Sequence, residues 1–263
     1  MPNRALLTAA TGMQVQQQNV DNIANNLANA STVGFKRTRL EFQDLMYQNM
    51  RTAGAAANAS TPLPVGLQIG MGARSIASEK IFNQGEIKET QNPLDMLVQG
   101  SGFFQVRLAS GEIAYTRAGQ FHLNEQGQVV TAGGDQLEPS ISIPTDATSV
   151  TIAKDGTVST TTAGQSNAQT VGQIQLAIFA NPAGLEAMGG NLFKATGASG
   201  QPTVGAANAN GIGAITQGFV EGSNVSVVEE LVNMISAQRI YETNSKVITT
   251  ADRMLGTINQ AVN

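Results

Sequence analysis

The first residues carry apolar positions at a helical period. Leu6, Met13, Val20 and Leu27 recur every seven residues, and Ala9, Gln16, Ile23 and Ala30 follow each of them by three. That spacing draws one stripe along a helix, the a/d seam of a coiled coil, with Gln16 as a polar interruption. Pro2 suits the first turn, where its missing N–H costs nothing, and Gly34 suits the end, where a left-handed residue closes a helix. A core helix is predicted over 1–34. The other end of the chain repeats the pattern. Val227, Met234, Tyr241, Ile248, Leu255 and Val262 recur every seven, and Leu231, Ala237, Ala251 and Ile258 widen the stripe. Ser223 or Asn224 offers an N-cap oxygen there, and Glu229 and Glu230 put negative charge at the positive end of the helix dipole. A second core helix is predicted over 223–263.

Two seams at opposite chain ends can meet only if the chain between them returns to its start. The expected fold class is α+β: long N- and C-terminal helices pair as a coiled-coil-like stem, with a mainly-β middle domain inserted over 71–222. Runs such as Phe103 to Leu108, Val129 to Thr131, Val150 to Ile152 and Ile174 to Phe179 read as strands. Ser110-Gly111, Gln126-Gly127, Gly133-Gly134, Asp155-Gly156 and Asn181-Pro182 read as the turns between them. Segment 197–214, rich in Gly, Ala and Asn, is expected to be a loop. Residues 35–70 form a connector, in which Phe42, Leu45 and Met46 open a short second helix and the run from Thr52 to Pro64 is a flexible linker.

The back of the first helix changes this picture. Residues 1–35 hold two charged side chains, Arg4 and Asp21; the polar positions are amides, among them Gln14, Gln17, Gln18, Asn19, Asn22, Asn25, Asn26 and Asn29. Solvated helices usually carry Lys and Glu there. Amides can be buried and hydrogen-bonded at lower desolvation cost than charges. The helix is therefore expected to be enclosed by other subunits or to face a narrow channel. One helix pair also leaves its outer faces bare, so the stem calls for a larger bundle. Leu6, Met13, Val20, Ile23, Leu27, Val227, Leu231, Met234, Tyr241, Ile248, Leu255 and Ile258 are the candidate subunit-interface residues.

Composition agrees. Charged residues make up 13% of the 263, against about 25% in ordinary soluble domains, and a weakly charged surface is less costly to bury. Lys36, Arg37 and Arg39 are the densest basic group, read as a solvated turn; with a net charge of -4 nothing here suits nucleic acid. No cysteine is present, and His122 is the single histidine. Disulfides, thiolate chemistry and the common zinc sites are excluded, and a histidine triad has no visible nucleophile. Gly100-Ser101-Gly102 fits neither a nucleophile elbow nor a dinucleotide loop. Glu112, Glu125, Asp135 and Glu138 lie near turns and read as solvated rather than as a hydrolytic pair. No catalytic residue, metal, cofactor or small-molecule substrate is expected. No stretch approaches the roughly 20 apolar residues of a membrane helix, and no cleavable secretion signal is seen, so export would need another route.

Several blocks resemble one family. Asn25-Asn26-Leu27-Ala28-Asn29-Ala30-Ser31-Thr32-Val33-Gly34-Phe35-Lys36 is similar to the N-terminal motif of the flagellar rod and hook axial proteins. Gly102-Phe103-Phe104, Tyr115-Thr116-Arg117-Ala118-Gly119-Gln120-Phe121 and Gly127-Gln128-Val129-Val130-Thr131 resemble its middle region. Glu221-Gly222-Ser223-Asn224-Val225, Glu230 to Ile235 and Gln238-Arg239-Ile240-Tyr241-Glu242-Thr243-Asn244 resemble its closing helix. The motif residues carried over are Asn25, Asn26, Ala28, Asn29, Thr32, Gly34, Phe35, Ser223, Asn224, Gln238 and Arg239. Residues 46–65 look like the extra stretch of distal-rod members, with Met46, Tyr47, Met50, Pro62, Leu63 and Pro64 as its stiffening residues.

The resemblance implies a structural subunit that assembles helically into the hollow, rigid distal rod of the flagellar basal body and transmits torque to the hook. Its terminal helices would form the inner tube and its β domain the outer layer. The implied partners are copies of itself, proximal rod and hook subunits, the surrounding ring bushing and the flagellar type III export apparatus. The implied location is the distal rod, crossing the periplasm toward the outer membrane. A proximal rod or hook subunit is the alternative within the family. A secreted β-rich adhesin on a coiled-coil stalk is the alternative outside it.

Overall fold

A computed structural model describes residues 3–52, 56–58, 61–62, 65–162 and 168–262. Helix and strand are mixed, with a helix near each end flanking a β-rich middle. The chain forms two compact units. The first gathers the initial helix, Thr38–Glu79 and the segment from Ser226 onward; the second holds Asn29–Arg37 and Lys80–Val225.

In the first unit α1 (Asn3–Ala28) and α2 (Val227–Val262) pack against each other. Gly12, near the middle of α1, lies against Asn244 of α2. The buried line on α1 runs through Ala9, Val15, Ile23 and Asn26, with Leu6, Met13, Val20 and Leu27 half-buried. On α2 Glu230 and Ala237 are buried, with Met234, Asn244, Ile248, Ala251 and Leu255 half-buried. α1 ends at Ala28, earlier than the expected end at Gly34, and α2 begins after Ser226. The Glu230 N–H donates to the Ser226 carbonyl (3.0 Å) and the Glu229 N–H points at the Ser226 hydroxyl (3.5 Å). Ser226, not Ser223 or Asn224, therefore caps the helix.

The expected connector, with its short second helix, is instead a two-stranded ribbon. β1 (Thr38–Asp44) pairs with β6 (Ala73–Lys80), β2 (Tyr47–Arg51) with β5 (Leu67–Gly70), and β3 (Ala56–Asn58) with β4 (Thr61–Pro62). Alternation explains why strand wins over helix at its base. Thr38 and Leu40 are half-buried while Arg39 and Glu41 are exposed, and Arg39 bridges to Glu79 across the ribbon at 2.9 Å.

The second unit is built of strands, with a 3-10 turn at Pro182–Gly184. Its strands are β7 (Ile87–Glu89), β8 (Met96–Gln99), β9 (Phe103–Arg107), β10 (Ile113–Thr116), β11 (Phe121–Leu123), β12 (Val129–Thr131), β13 (Gln136–Glu138), β14 (Ala147–Ile152), β15 (Thr157–Thr162), β16 (Gln169–Gln173), β17 (Gln175–Ile178), β18 (Glu186–Gly189), β19 (Leu192–Lys194), β20 (Thr203–Ala206), β21 (Ala214–Gln217) and β22 (Phe219–Glu221). The 9-stranded sheet runs β11-β12-β13-β9-β10-β19-β18, with β17 joined to β9 and β20 to β17. The segment expected to be a loop thus holds β20, which hydrogen-bonds along β17. β14, β15 and β16 form a separate sheet, and β8 pairs with β21 and β7 with β22. The expected turns at Gly111, Gly127, Gly134 and Gly156 all have positive φ, the backbone state hairpin glycines supply.

β9 shows why this sheet holds. Its residues Phe103 to Val106 are buried on both faces, as expected for a central strand covered on both sides. Phe104 and Val106 face the larger core with Met96, Phe121, Leu137 and Leu176. Phe103 faces the other way, into an aromatic cluster with Tyr115, Phe179, Phe193 and Phe82. Within that cluster the rings meet edge to face, Tyr115 on Phe179 at 4.8 Å and Phe82 on Phe103 at 5.3 Å.

Candidate functional site

The β unit closes on itself where the chain enters and leaves it. Gly34 turns the entering chain at φ 72, and a Cβ there would strike the Ala118 backbone. Its N–H donates to the Glu221 carbonyl at 2.7 Å. Two residues on, the Lys36 ammonium donates to Glu221 Oε1 at 2.6 Å and to the Asn83 carbonyl at 2.8 Å. The same Oε1 accepts the Gly85 N–H at 2.9 Å. Arg117 approaches the other oxygen, Oε2, at 3.5 Å, while its second nitrogen donates to the Gly100 carbonyl at 2.7 Å. Its guanidinium also lies over the Phe103 ring, 5.2 Å from the centroid.

This is a buried ion cluster. The Lys36, Glu221 and Arg117 side chains are 0%, 1% and 5% exposed. Lys36 belonged to the group read as a solvated turn; of that group only Arg39 is exposed. Burial pulls the Lys36 ammonium below its ordinary pKa; Glu221 opposes that shift and Arg117 adds to it. Burial lowers Arg117 as well, against the pull of Glu221.

Asn224 completes the closure. Its Oδ1 accepts the Arg37 N–H at 2.7 Å, and its Nδ2 donates to the Ile81 carbonyl at 2.8 Å and the Asn83 carbonyl at 3.1 Å. The Ile81 N–H in turn donates to the Arg37 carbonyl at 2.9 Å. One side-chain amide thus bonds both the segment that leaves toward the ribbon and the segment that returns from it. Ser223 turns inward, its hydroxyl accepting the Val225 N–H at 3.3 Å. Phe35 is buried, with the Lys80 ammonium 5.2 Å from its ring centroid. Thr32 donates to the Asn29 side chain at 3.2 Å.

In the helical unit the amide face of α1 is partly covered by the chain's own ribbon. Asn22 and Asn26 both donate to the Thr38 carbonyl, at 2.8 and 2.9 Å, and the Thr38 N–H donates back to Asn26 Oδ1 at 2.9 Å. Ser75 of β6 donates to Gln18 at 2.7 Å. Asn25 and Ala28 are exposed on the same helix.

The candidate interface residues divide. Ile23 is buried within the chain, and Leu6, Met13, Val20, Leu27, Met234, Ile248 and Leu255 are half-buried. Val227, Leu231 and Tyr241 are exposed, as are Gln238 and Arg239. Further apolar residues of α2 are more open still, with Val228 73%, Val232 58%, Ile235 52% and Met254 61% exposed. On the ribbon Met46 is 87% exposed, and Tyr47 and Met50 also face solvent. The side chains of Ile258 and Pro62, and Leu63 and Pro64 entirely, lie outside the described residues. Exposed His122 sits on β11 opposite Val130. No group of three or more metal-ligating side chains occurs among the described residues.

Three family models match the chain. They are "Flagella basal body rod protein" over 6–36, "Flagellar hook protein FlgE/F/G D1 domain" over 97–160 and "Flagellar basal body rod FlgEFG protein C-terminal" over 216–261. The "Flagellar basal-body rod protein FlgG" of Caulobacter vibrioides is 50% identical, with 98% of each chain covered. Its namesake from Buchnera aphidicola of Acyrthosiphon pisum is 48% identical over 97% of this chain and 98% of its own. The chain belongs to the flagellar basal-body rod protein family. A more distant member, the Bacillus subtilis protein of the same name, is 40% identical over 96% of both chains.

Within this rod-family chain the three matched segments converge on the ion cluster. Lys36 ends the first, Arg117 lies in the second and Glu221 in the third. The sequence blocks contained all three residues but no sign that they meet. The available signal was context: Lys36 follows Gly34-Phe35, and Glu221 stands between Val220 and Gly222. A charge set among glycine and apolar residues marks burial more often than a solvated turn.

Proposed function

We propose that this chain is a structural axial subunit of the flagellar distal rod, with α1 and α2 forming a coiled-coil-like stem that packs into a hollow tube of identical subunits. One observation carries this reading: α2 pairs with α1 yet leaves Val228, Leu231, Val232 and Ile235 open along one flank, and Val247 and Met254 further on. A contiguous apolar flank of this kind marks an interface. Copies of a chain that meet through different surfaces on each side build an open helix where the rotation between neighbours does not close a ring. The half-buried seam residues Leu6, Met13, Val20, Leu27, Met234, Ile248 and Leu255 complete their burial in that tube, and the work done is mechanical rather than catalytic.

The ribbon supplies the rod's stiffness in this reading. Exposed Met46, Tyr47 and Met50 insert between neighbouring subunits and oppose bending. The rod crosses the periplasm within the ring bushing, joins proximal rod and hook subunits at its ends, and is delivered by the flagellar type III apparatus.

The test is substitution on the open flank. Leu231→Asp leaves the β unit folded but abolishes tubes in electron micrographs and abolishes motility; Leu27→Asp and Met234→Asp do the same through the seam. Full-length tubes from the Leu231→Asp protein would overturn the reading. Deleting 46–65 gives tubes that form but bend, and straight tubes from that deletion would remove the ribbon's role.

A further inference from the structure

We propose that Glu221 is a completion lock, whose arrival between Lys36 and Arg117 is the condition for the whole β unit to fold. Lys36 is the second-last residue of the segment that enters the unit, and Glu221 lies 185 positions further along the chain. Every strand of the 9-stranded sheet lies between them, the last being Thr203–Ala206. A chain extended only that far has the complete sheet but not the carboxylate. Its native fold would then enclose two cations in one site, Lys36 at 0% and Arg117 at 5% exposure, with no anion facing them. An uncompensated buried charge is among the costliest local defects a fold can hold, and two of like sign compound it.

The backbone reinforces the dependence. Glu221 Oε1 accepts the Gly85 N–H as well as the Lys36 ammonium, and the Glu221 carbonyl accepts the Gly34 N–H. β22, which carries Glu221, also pairs with β7. One residue near the unit's exit therefore binds its entrance, the loop before β7, and the arginine beyond β10. The unit cannot settle around its first residues and then wait for the last. This role concerns how the subunit folds and does not depend on what it assembles into.

Hydrogen exchange on the full-length chain tests it. Glu221→Gln keeps the shape of the side chain and removes the charge. Amides of β9, β10 and β19, whose strand pairings do not involve Glu221, are expected to lose protection by about 100-fold or more. Adding Lys36→Met to Glu221→Gln removes a stranded cation and is expected to return those amides to within about tenfold of the parent chain. Loss of protection confined to residues 34–36, 85 and 221, with the sheet unchanged, would overturn the proposal. So would a double variant as unprotected as Glu221→Gln, because the charge would then not be the cause.

Discussion

The two units solve the same problem in opposite ways. The β unit is poor in exposed apolar surface and buries four charged side chains, Lys36, Asp95, Arg117 and Glu221, among its own residues. Lys36 and Arg117 share Glu221, and backbone carbonyls accept from Lys36 Nζ and from both terminal nitrogens of Arg117, although Arg117 Nε has no partner among the described residues. The helical unit buries few charges and still leaves a line of valine, leucine and isoleucine uncovered along α2. The difference teaches where each reaches its final state. Buried charges that pair within one chain need no second copy, whereas in the proposed assembly the open apolar flank is covered by neighbouring subunits. Stability should therefore be concentrated in one unit and association in the other.

The largest break comes from the β core. Phe104 is fully buried and meets Phe121 edge to face at 5.2 Å. Phe104→Ala is expected to cost about 3–5 kcal/mol, read as a lower denaturation midpoint of the β unit's aromatic signals. Next is Asn224→Ala, which strips partners from the Arg37 N–H and the Ile81 and Asn83 carbonyls. About 1–3 kcal/mol is expected, measured by the same unfolding curve.

Substituting the open flank sharpens the contrast. Val232→Ser should change the monomer's unfolding free energy by no more than about 0.5 kcal/mol, while raising the concentration at which sedimentation detects assembly. A large loss of monomer stability would mean that the flank is not free in the single chain.

The smallest effect is acidic. The Thr157 N–H donates to the Asp155 carboxylate at 3.0 Å in the turn between β14 and β15, holding its pKa below the ordinary value. The carboxylate's contribution is present above the unfolded pKa and is lost as pH falls through the depressed native one. Asp155→Asn should flatten that shallow acid limb in a pH series of melting temperatures.

Legibility followed the range of the signal. The helices were readable because a seven-residue repeat is written locally in Leu6, Met13, Val20 and Leu27, and in their counterparts on α2. Hairpin turns were readable at Gly111, Gly127, Gly134 and Gly156 for the same reason. The ribbon was not: alternation in Thr38–Glu41 is short, and the alanines and asparagine of Ala56–Asn58 carry no strand signature, so pairing with a partner strand had to supply it. The amide face of α1 stands out in the sequence, and Thr38 and Ser75 of the same chain hydrogen-bond to it. Asn224 looked like a helix cap because an asparagine near a helix start usually is one; its partners at Arg37, Ile81 and Asn83 are long-range. The ion cluster was invisible for the same reason, since no local spacing links positions 36, 117 and 221.

The ribbon's footing has a consequence for how such a chain can change over generations. The strands leave after Arg37 and come back at Ile81, and the hydrogen bond from the Ile81 N–H to the Arg37 carbonyl, 2.9 Å long, pins departure and return side by side. Residues gained or lost in matched pairs at the far tip would slide the end outward or inward by about 3.4 Å per pair without disturbing that footing. The ribbon's length can thus change one residue pair at a time, as a zip is lengthened tooth by tooth.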